Sequence, residues 1–451
     1  MRLKGKNIFG LATFKGGIHP DDMKAATCKK PIVDLPASRE MVYPLQQSLG
    51  VPAVPCVQVG DRVLMGQKIA EAGGFVSAHI HSAVSGIVTA IEPRMTVSGI
   101  KMNSIIIEND GLDELCDIIK PKDWRDMSPK EIVEVVREAG VVGLGGATFP
   151  THIKLSPPEG KKVEYVIING AECEPYLTSD HRAMLETPEE IIEGLKIMLK
   201  VFGLKTGYIG IEVNKPDAIE KMAEYAEKEK DVEIRVVALK TKYPQGSEKH
   251  LIKAVTGREV PSGKLPVDVG TVVDNIDTCA AIARVFMYGT PLLKRIVTVS
   301  GDCVQNPSNF RVRIGTNVQD VIEKCGGFIK PAAKVIIGGP MMGVAISDVD
   351  IPIIKGSAGI LGFSADAVAK KKVQNCLRCG RCAEGCPMNL LPNALKDAVL
   401  LEDMEKLNKL GVMDCIQCGS CTYVCPAEQT PLQYIRTGKA KLIKARQEAK
   451  K

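Results

Sequence analysis

Two cysteine runs near the C-terminus constrain this chain more than any other feature. The first is Cys376-x-x-Cys379-x-x-Cys382-x-x-x-Cys386-Pro387 and the second is Cys415-x-x-Cys418-x-x-Cys421-x-x-x-Cys425-Pro426. Both have the C-x2-C-x2-C-x3-C-P spacing that wraps a cubane [4Fe–4S] cluster. Three thiolates two residues apart reach three irons from one tight loop. The fourth, followed by proline, opens a segment that leads away. Zinc sites usually take cysteines in pairs rather than in a doubled run of four.

The doubled run resembles that of bacterial two-cluster ferredoxins, where the fourth cysteine of each run ligates the other cluster. The resemblance implies Cys376, Cys379, Cys382 and Cys425 around a first cluster. Cys386, Cys415, Cys418 and Cys421 would surround a second.

At 451 residues the chain has room for several domains. A hydrophobic content of 45% with 25% charge is that of a globular protein, and aromatics at 4% leave the cores aliphatic. No stretch approaches the roughly 18 apolar residues of a membrane span. Met1 to Asn7 is charged but is followed by no apolar signal core, so the chain is expected in the cytoplasm. Of 15 cysteines, the seven outside the two runs are scattered, which suits a reducing compartment. The net charge of +6 is concentrated at the end, in Arg436, Lys439, Lys441, Lys444, Arg446, Lys450 and Lys451. That tail reads as a solvated helix, or as a docking site for an acidic partner or anionic lipid. No nucleic-acid signature is present.

The chain divides into an irregular arm (1–39), a β-rich region (40–127), an α/β region (128–290), a β-β-α-β region (291–365), the cysteine-rich region (366–435) and the basic tail (436–451). In the β-rich region, Val59 to Ala70 and His81 to Thr89 share a turn–strand rhythm. They resemble the two hairpins of a biotinyl/lipoyl barrel-sandwich. The carrier lysine is missing: the stretch reads Val76-Ser77-Ala78-His79-Ile80, so the fold is expected to be scaffolding. His79 and His81 are expected to be partly exposed strand residues.

In the α/β region, Ser128-Pro129-Lys130-Glu131 reads as a capping box, with Gly140 ending that helix. Thr187-Pro188 opens another capped helix, to Phe202. Strands are expected over 163–168, 208–213 and 232–239, and a helix over 216–230; this alternation implies a parallel sheet. Further on, Thr316 is expected to cap a helix ending near Gly326 in a β-grasp-like domain. A long helical connector from Pro392 to Leu410 makes the cluster domain look like an α-helical ferredoxin.

Gly143-Leu144-Gly145-Gly146-Ala147-Thr148-Phe149-Pro150 follows the first helix. Glycines allow close backbone approach and present N–H groups to phosphate. Lys154 stands four residues beyond Pro150. The 163–168 strand leads into Asn169-Gly170-Ala171-Glu172-Cys173-Glu174-Pro175, and polar groups at a parallel strand's carboxyl end face the ligand crevice. Tyr243-Pro244-Gln245-Gly246-Ser247-Glu248 and Val273-Asp274-Asn275-Ile276-Asp277-Thr278 fit the same crevice.

These segments resemble the flavin- and NADH-binding subunit of respiratory complex I. The resemblance implies that Gly143, Gly145, Gly146, Lys154, Asn169, Glu172, Tyr243, Gly246, Glu248 and Asn275 contact FMN. Phe149 and Glu174 would lie on the NADH side. Leu144, His152 and Leu155 depart from that family's pattern. The architecture as a whole resembles the C subunits of Rnf electron transport complexes: a barrel-sandwich, a complex-I-like flavin domain, a β-grasp domain and a two-cluster ferredoxin tail.

The resemblance implies exchange of hydride between NAD(H) and FMN, and of single electrons between FMN and the two clusters. No side chain need act as acid or base. It also implies a ferredoxin:NAD+ oxidoreductase coupled to Na+ or H+ transport by membrane-embedded partners, among them a ferredoxin-like subunit. The chain would then be peripheral, on the cytoplasmic face of the membrane. Two alternatives remain at this point, a soluble flavin/iron–sulfur cobalamin reductase of a microcompartment and an electron-transfer adaptor without flavin.

Overall fold

The computed structural model describes residues 11–117, 119–368 and 372–448. The charged stretch from Met1 to Asn7 and the tail residues Lys450 and Lys451 lie outside the described residues.

The β-rich region forms two facing sheets. One runs in the order Glu40–Pro44, Lys101–Asn109, Gly86–Met95, Arg62–Val63, and the other in the order Val54–Pro55, Lys68–Glu71, Ile80–His81. Their inner faces bury Met41, Tyr43, Ile69, Ile105 and Ile107. This aliphatic core continues without a break into that of the α/β region, through Ile132, Val166, Leu195 and Ile209. The barrel-sandwich is thus fused to its neighbour rather than tethered to it. His79 and His81 sit at this joint and are buried, against the expectation of partly exposed residues. His79 Nδ1 accepts from the Ala72 amide (3.1 Å), and its Nε2 faces Glu138 at 3.2 Å. Lys355, fully buried, donates to the carbonyls of His79 (2.6 Å) and Gly140 (2.7 Å). Burial without an acidic partner pulls its pKa down to about 7.

The α/β region holds a parallel sheet in the order Glu233–Leu239, Thr206–Glu212, Tyr165–Gly170, Thr271–Asn275. Ser128 and Glu131 form the expected capping box on the Pro129–Glu138 helix. Thr187 does not cap the Pro188–Phe202 helix; its hydroxyl donates back to Ala183 O (3.1 Å) and closes a Ser179–Glu186 helix that sequence reasoning missed.

The following sheet has six strands, in the order Ile32–Asp34, Ser308–Arg313, Lys294–Ser300, Gly359–Phe363, Lys334–Ile337, Val344–Ile346. The cap of its Val318–Lys324 helix is Asn317, not Thr316: the Asn317 side chain accepts from the Gln319 amide (2.8 Å). The N-terminal arm is not irregular throughout. Its Ile32–Asp34 segment adds a parallel edge strand here. Upstream, Ala12 bridges Leu239 and Ile18 bridges Tyr243. Thr27 joins Thr178, Thr298 and Asn309 in a buried hydrogen-bonded network. The arm therefore ties the α/β and six-stranded units together.

The cysteine-rich region is helical. The expected single connector is broken into Pro392–Leu400 and Met404–Lys409, the second capped by Asp403. The Pro431–Glu448 helix packs against the first of these through Leu395, Ile435 and Leu442.

Candidate flavin and iron–sulfur sites

The glycine-rich loop folds into a closed turn. Gly143 N donates to Phe149 O (2.8 Å) and Thr148 N returns to Gly143 O (3.1 Å). Gly146 has a φ of +105°, a conformation open to glycine, and the space where its Cβ would stand is empty. A Cβ on Gly145 would meet the Asn275 Cβ at 3.4 Å, so the loop lies directly over the end of the Thr271–Asn275 strand.

That strand end and its neighbour carry matched asparagines, since Asn275 and Asn169 are register partners. Asn275 caps the Ile276–Tyr288 helix with its side-chain oxygen and donates to Asp180 (2.6 Å). Asn169 donates to Gly246 O (2.7 Å), holding the Tyr243–Glu248 segment against the crevice. Lys154 reaches Val273 O (2.7 Å), Glu248 (3.3 Å) and Asp274 (3.6 Å). Burial opposes its charge, but the two carboxylates outweigh burial and hold its pKa above the ordinary lysine value.

Glu172 is largely buried. Its carboxylate accepts from the Asp180 amide (2.7 Å) at the start of the Ser179–Glu186 helix, and Lys24 of the arm lies 3.7 Å away. Lys24 also donates to the carbonyls of Glu174 and Leu177, so the arm closes this side of the crevice. Glu174 turns toward the six-stranded unit, where its two oxygens accept from the amides of Met341 and Met342, both at 3.0 Å. Burial pushes its carboxyl up to about 7 against those amides.

Two further residues enter the site that sequence reasoning did not single out. Asp180, beside Glu172 and Asp277, is pushed by burial and those charges up to about 8. Gln245 is fully buried, and neither of its side-chain amide atoms has a protein partner. An unpartnered buried amide is costly, so Gln245 has hydrogen-bonding capacity left for a polar ligand. Its place inside a quoted crevice segment was the available signal.

The two cysteine runs repeat in backbone as well as in spacing. Arg378, Gly380 and Asn389 have positive φ, as do Gln417, Gly419 and Glu428, the residues at the same offsets in the second run. Cys386 joins Cys415, Cys418 and Cys421 in lining one largely apolar pocket, together with Pro387, Ile416 and Leu432. The fourth cysteine of the first run thus sits with three of the second. Cys425 is brought toward the first run by Gln374, whose amide donates to Ala427 O (3.0 Å). Among the described residues no three His, Cys, Asp or Glu side chains cluster tightly enough for a single metal ion. A pocket ringed by four thiols is instead of the kind a cubane fills.

The second cysteine loop packs against the crevice. Tyr243 donates from its hydroxyl to Cys418 O (2.7 Å). His250 Nε2 pairs with Pro387 O (2.9 Å). Ile18, Tyr243 and Cys418 share a small core, with Cys173 and Met341 against it. The basic tail serves the same loop: Lys439 donates to Cys415 O (2.7 Å) and Met413 O (3.0 Å), and Arg436 to Gln417 (3.2 Å).

A glycine-rich crevice on a parallel sheet, joined through Tyr243 to a two-cluster helical module, defines a flavin- and iron–sulfur-dependent electron-transfer protein. The modules match known families: residues 12–112 the RnfC barrel sandwich hybrid domain, 136–284 the Nuo51 FMN-binding domain, 296–345 the SLBB domain and 369–438 the 4Fe-4S dicluster domain. The chain belongs to the family of C subunits of Rnf-type ferredoxin:NAD(+) oxidoreductase complexes. The C subunit of the proton-translocating complex of Clostridium ljungdahlii is 49% identical over 386 residues, covering 85% of this chain and 84% of the relative. Its counterpart in the Na(+)-translocating complex of Acetobacterium woodii is 47% identical over 381 residues, covering 84% and 86%. A solved NAD+-reducing [NiFe]-hydrogenase, in the air-oxidized state, shares the fold with a TM-score of 0.50 at 18% identity, over 70% of this chain and 66% of that one. Among the described residues no helix is long and apolar enough to cross a membrane.

Proposed function

We propose that this chain is the flavin and iron–sulfur subunit of a ferredoxin:NAD+ oxidoreductase, working in a membrane complex that couples electron flow to Na+ or H+ translocation. The observation that carries the reading is the Tyr243–Cys418 hydrogen bond, which joins the flavin crevice to a cluster loop without intervening solvent. Bound FMN supplies a carrier that exchanges hydride with NAD(H) and single electrons with iron–sulfur clusters.

The chain's own residues bind and orient. Gly145 and Gly146 present backbone N–H groups to the phosphate, Gly143 closes the turn beneath them through its N–H to Phe149 O, and Lys154 is the nearby cation. Asn169, Glu172, Tyr243, Gly246, Glu248 and Asn275 line the flavin, and Gln245 joins them. Phe149 and Glu174 stand on the NADH side. Glu174, with both oxygens accepting amide bonds, orients rather than transfers a proton. Cys376, Cys379, Cys382 and Cys425 hold one cluster, and Cys386, Cys415, Cys418 and Cys421 the other.

The match over residues 12–112 favours this reading over a cobalamin reductase, which would begin near the flavin module. An adaptor without flavin is separated by one experiment. Anaerobically purified and reconstituted protein should carry one FMN and about eight iron and eight sulfide, and NADH should bleach the flavin. Brown protein with about eight iron but no FMN released on heating would favour the adaptor. With its partner proteins the chain should co-sediment with membranes, on their cytoplasmic face. Alone it should remain in the supernatant.

A further inference from the structure

The glycine-rich loop contains a residue in a conformation that its own side chain resists. Thr148 has a φ of +49°, in the left-handed region that β-branched residues rarely adopt. Strain of this kind persists only where the surroundings hold it. Within the loop, the Thr148 amide is tied to Gly143 O (3.1 Å). Two other modules grip it from outside. The barrel-sandwich donates the Leu49 amide to Thr148 O (3.1 Å). The 354–357 turn, which leads into the Gly359–Phe363 strand of the six-stranded unit, lies against its methyl group. A Cβ on Gly356 would stand 2.9 Å from Thr148 Cγ2 and 3.7 Å from Gly146 O.

That turn is itself anchored. The Ser357 amide donates to Ile354 O (2.9 Å), and the Ile354 amide to Ser357 Oγ (3.1 Å). Lys355 runs inward from it and is 1% exposed. Its amine donates to His79 O of the barrel-sandwich (2.6 Å) and to Gly140 O (2.7 Å), three residues before Gly143. The Lys355 amide donates to Gln47 Oε1 of the barrel-sandwich (3.3 Å), and buried Arg295 donates to the Lys355 carbonyl (2.7 Å). One residue thus joins all three modules where the loop begins.

We propose that Lys355 is a positioning residue for the flavin phosphate loop. Its amine fixes the 354–357 turn against Thr148, and that turn and the Leu49 amide together hold the loop in its phosphate-receiving shape. The barrel-sandwich and the six-stranded unit then act on the flavin site by shaping this loop. The inference rests on the flavin reading above, and deepens it by naming what sets the loop's conformation.

The test uses the full chain, anaerobically reconstituted with its clusters and stripped of flavin. Hydrogen–deuterium exchange reads the loop directly. Lys355→Met keeps much of the side chain's length but takes the donor away from both carbonyls. Residues 143–149 should then exchange about tenfold or more faster than in the wild type. The Pro188–Phe202 helix should exchange at the wild-type rate. Affinity for added FMN should fall about tenfold, because the receptive loop becomes a minor population. Gly356→Val drives a side chain into Thr148 and spares the buried amine. It should show the same two effects, and it decides the matter if Lys355→Met does not fold. Glycine adopts the left-handed region without strain. The Lys355→Met/Thr148→Gly protein should therefore bind FMN at least about threefold more tightly than Lys355→Met. Wild-type loop exchange in both single variants would overturn the proposal. So would faster exchange with unchanged FMN affinity, or an affinity loss that Thr148→Gly leaves in place. Exchange that rises equally in the Pro188–Phe202 helix would overturn it too, by showing that Lys355 holds the core and not the loop. A wild type that takes up no FMN removes the flavin reading, and loop exchange then still decides whether Lys355 fixes the loop.

Discussion

The hydroxyl of Tyr243 donates a 2.7 Å hydrogen bond to the carbonyl oxygen of Cys418, a residue of the second cysteine run 175 positions away in sequence. One end of this bond belongs to the flavin crevice and the other to a cluster loop. Both residues are buried, so neither group has water as an alternative partner. Replacing Tyr243 with Phe leaves the carbonyl unpaired, at a cost of about 1–3 kcal/mol. The variant should keep its FMN and iron but show a lower thermal midpoint and slower flavin-to-cluster electron transfer in stopped-flow traces. An unchanged midpoint and rate would remove this bond from the electron path.

Gly145 lies over Asn275, and a Cβ there would make an ordinary 3.4 Å contact with the Asn275 Cβ while occupying the face of the loop turned to the crevice. Gly145→Val should therefore fold, keep about eight iron per chain and lose FMN, as read by the flavin released on heating. Stoichiometric FMN in this variant would show the loop to be misassigned.

Gly16 has a φ of +79°, and a Cβ there would stand 2.8 Å from Cys386 O. A side chain at this position must push the arm off the second cluster's loop. Gly16→Val should lose about half of its iron after reconstitution while retaining flavin, since Lys24, further along the arm, still closes its side of the crevice. Full iron content would show that the contact between Gly16 and Cys386 is not needed to hold the second cluster's loop.

Lys439 places an ammonium against Cys415 O. A cation beside a cluster stabilises the added negative charge of the reduced form. Lys439→Gln should lower the potential of one cluster by roughly 40–80 mV, from a Coulomb contribution of about 1–2 kcal/mol, and leave the other unmoved in EPR-monitored redox titrations. Equal shifts in both clusters would argue against the assignment of Lys439 to the second.

Glu174 carries a pH dependence of definite sign. Burial raises its carboxyl from 4.5 to about 7 in the folded chain. Between these values the folded state binds more protons than the unfolded one, so this group's contribution falls as pH rises from 4.5 through 7. The full span is on the order of 3 kcal/mol. Glu174→Gln removes the ionisation, so the wild-type thermal midpoint should drop relative to the variant between about pH 5 and pH 8. Parallel midpoints across that range would mean that Glu174 stays ionised.

Much of the local structure was legible in the residues. The Ser128–Glu131 capping box and the doubled cysteine spacing are short-range patterns, and both took the expected form. The reading failed where a long-range partner decided the outcome. Thr316 lost the cap to Asn317, whose side chain is better placed to reach the Gln319 amide. His79 and His81 were drawn inside because two modules share one core. The arm looked irregular because its hydrogen-bond partners, Ala238, Tyr243 and Arg311, lie hundreds of residues away in sequence. Arg436 and Lys439 looked like free tail charges until the carbonyl and amide groups they serve were brought beside them.

By itself the sequence determined the chemistry this chain carries. Ligand spacing within a cysteine run, and glycines within a phosphate loop, are set by covalent neighbours and survive without knowledge of the fold. Tertiary structure decided which cysteine loop lies against the crevice. Cys386 reaches the second run, Tyr243 meets Cys418, and the 372–381 loop stays uncovered because distant segments pack on one cluster site and leave the other open. That asymmetry arises from burial and charge summed over many contacts, and no local spacing encodes it.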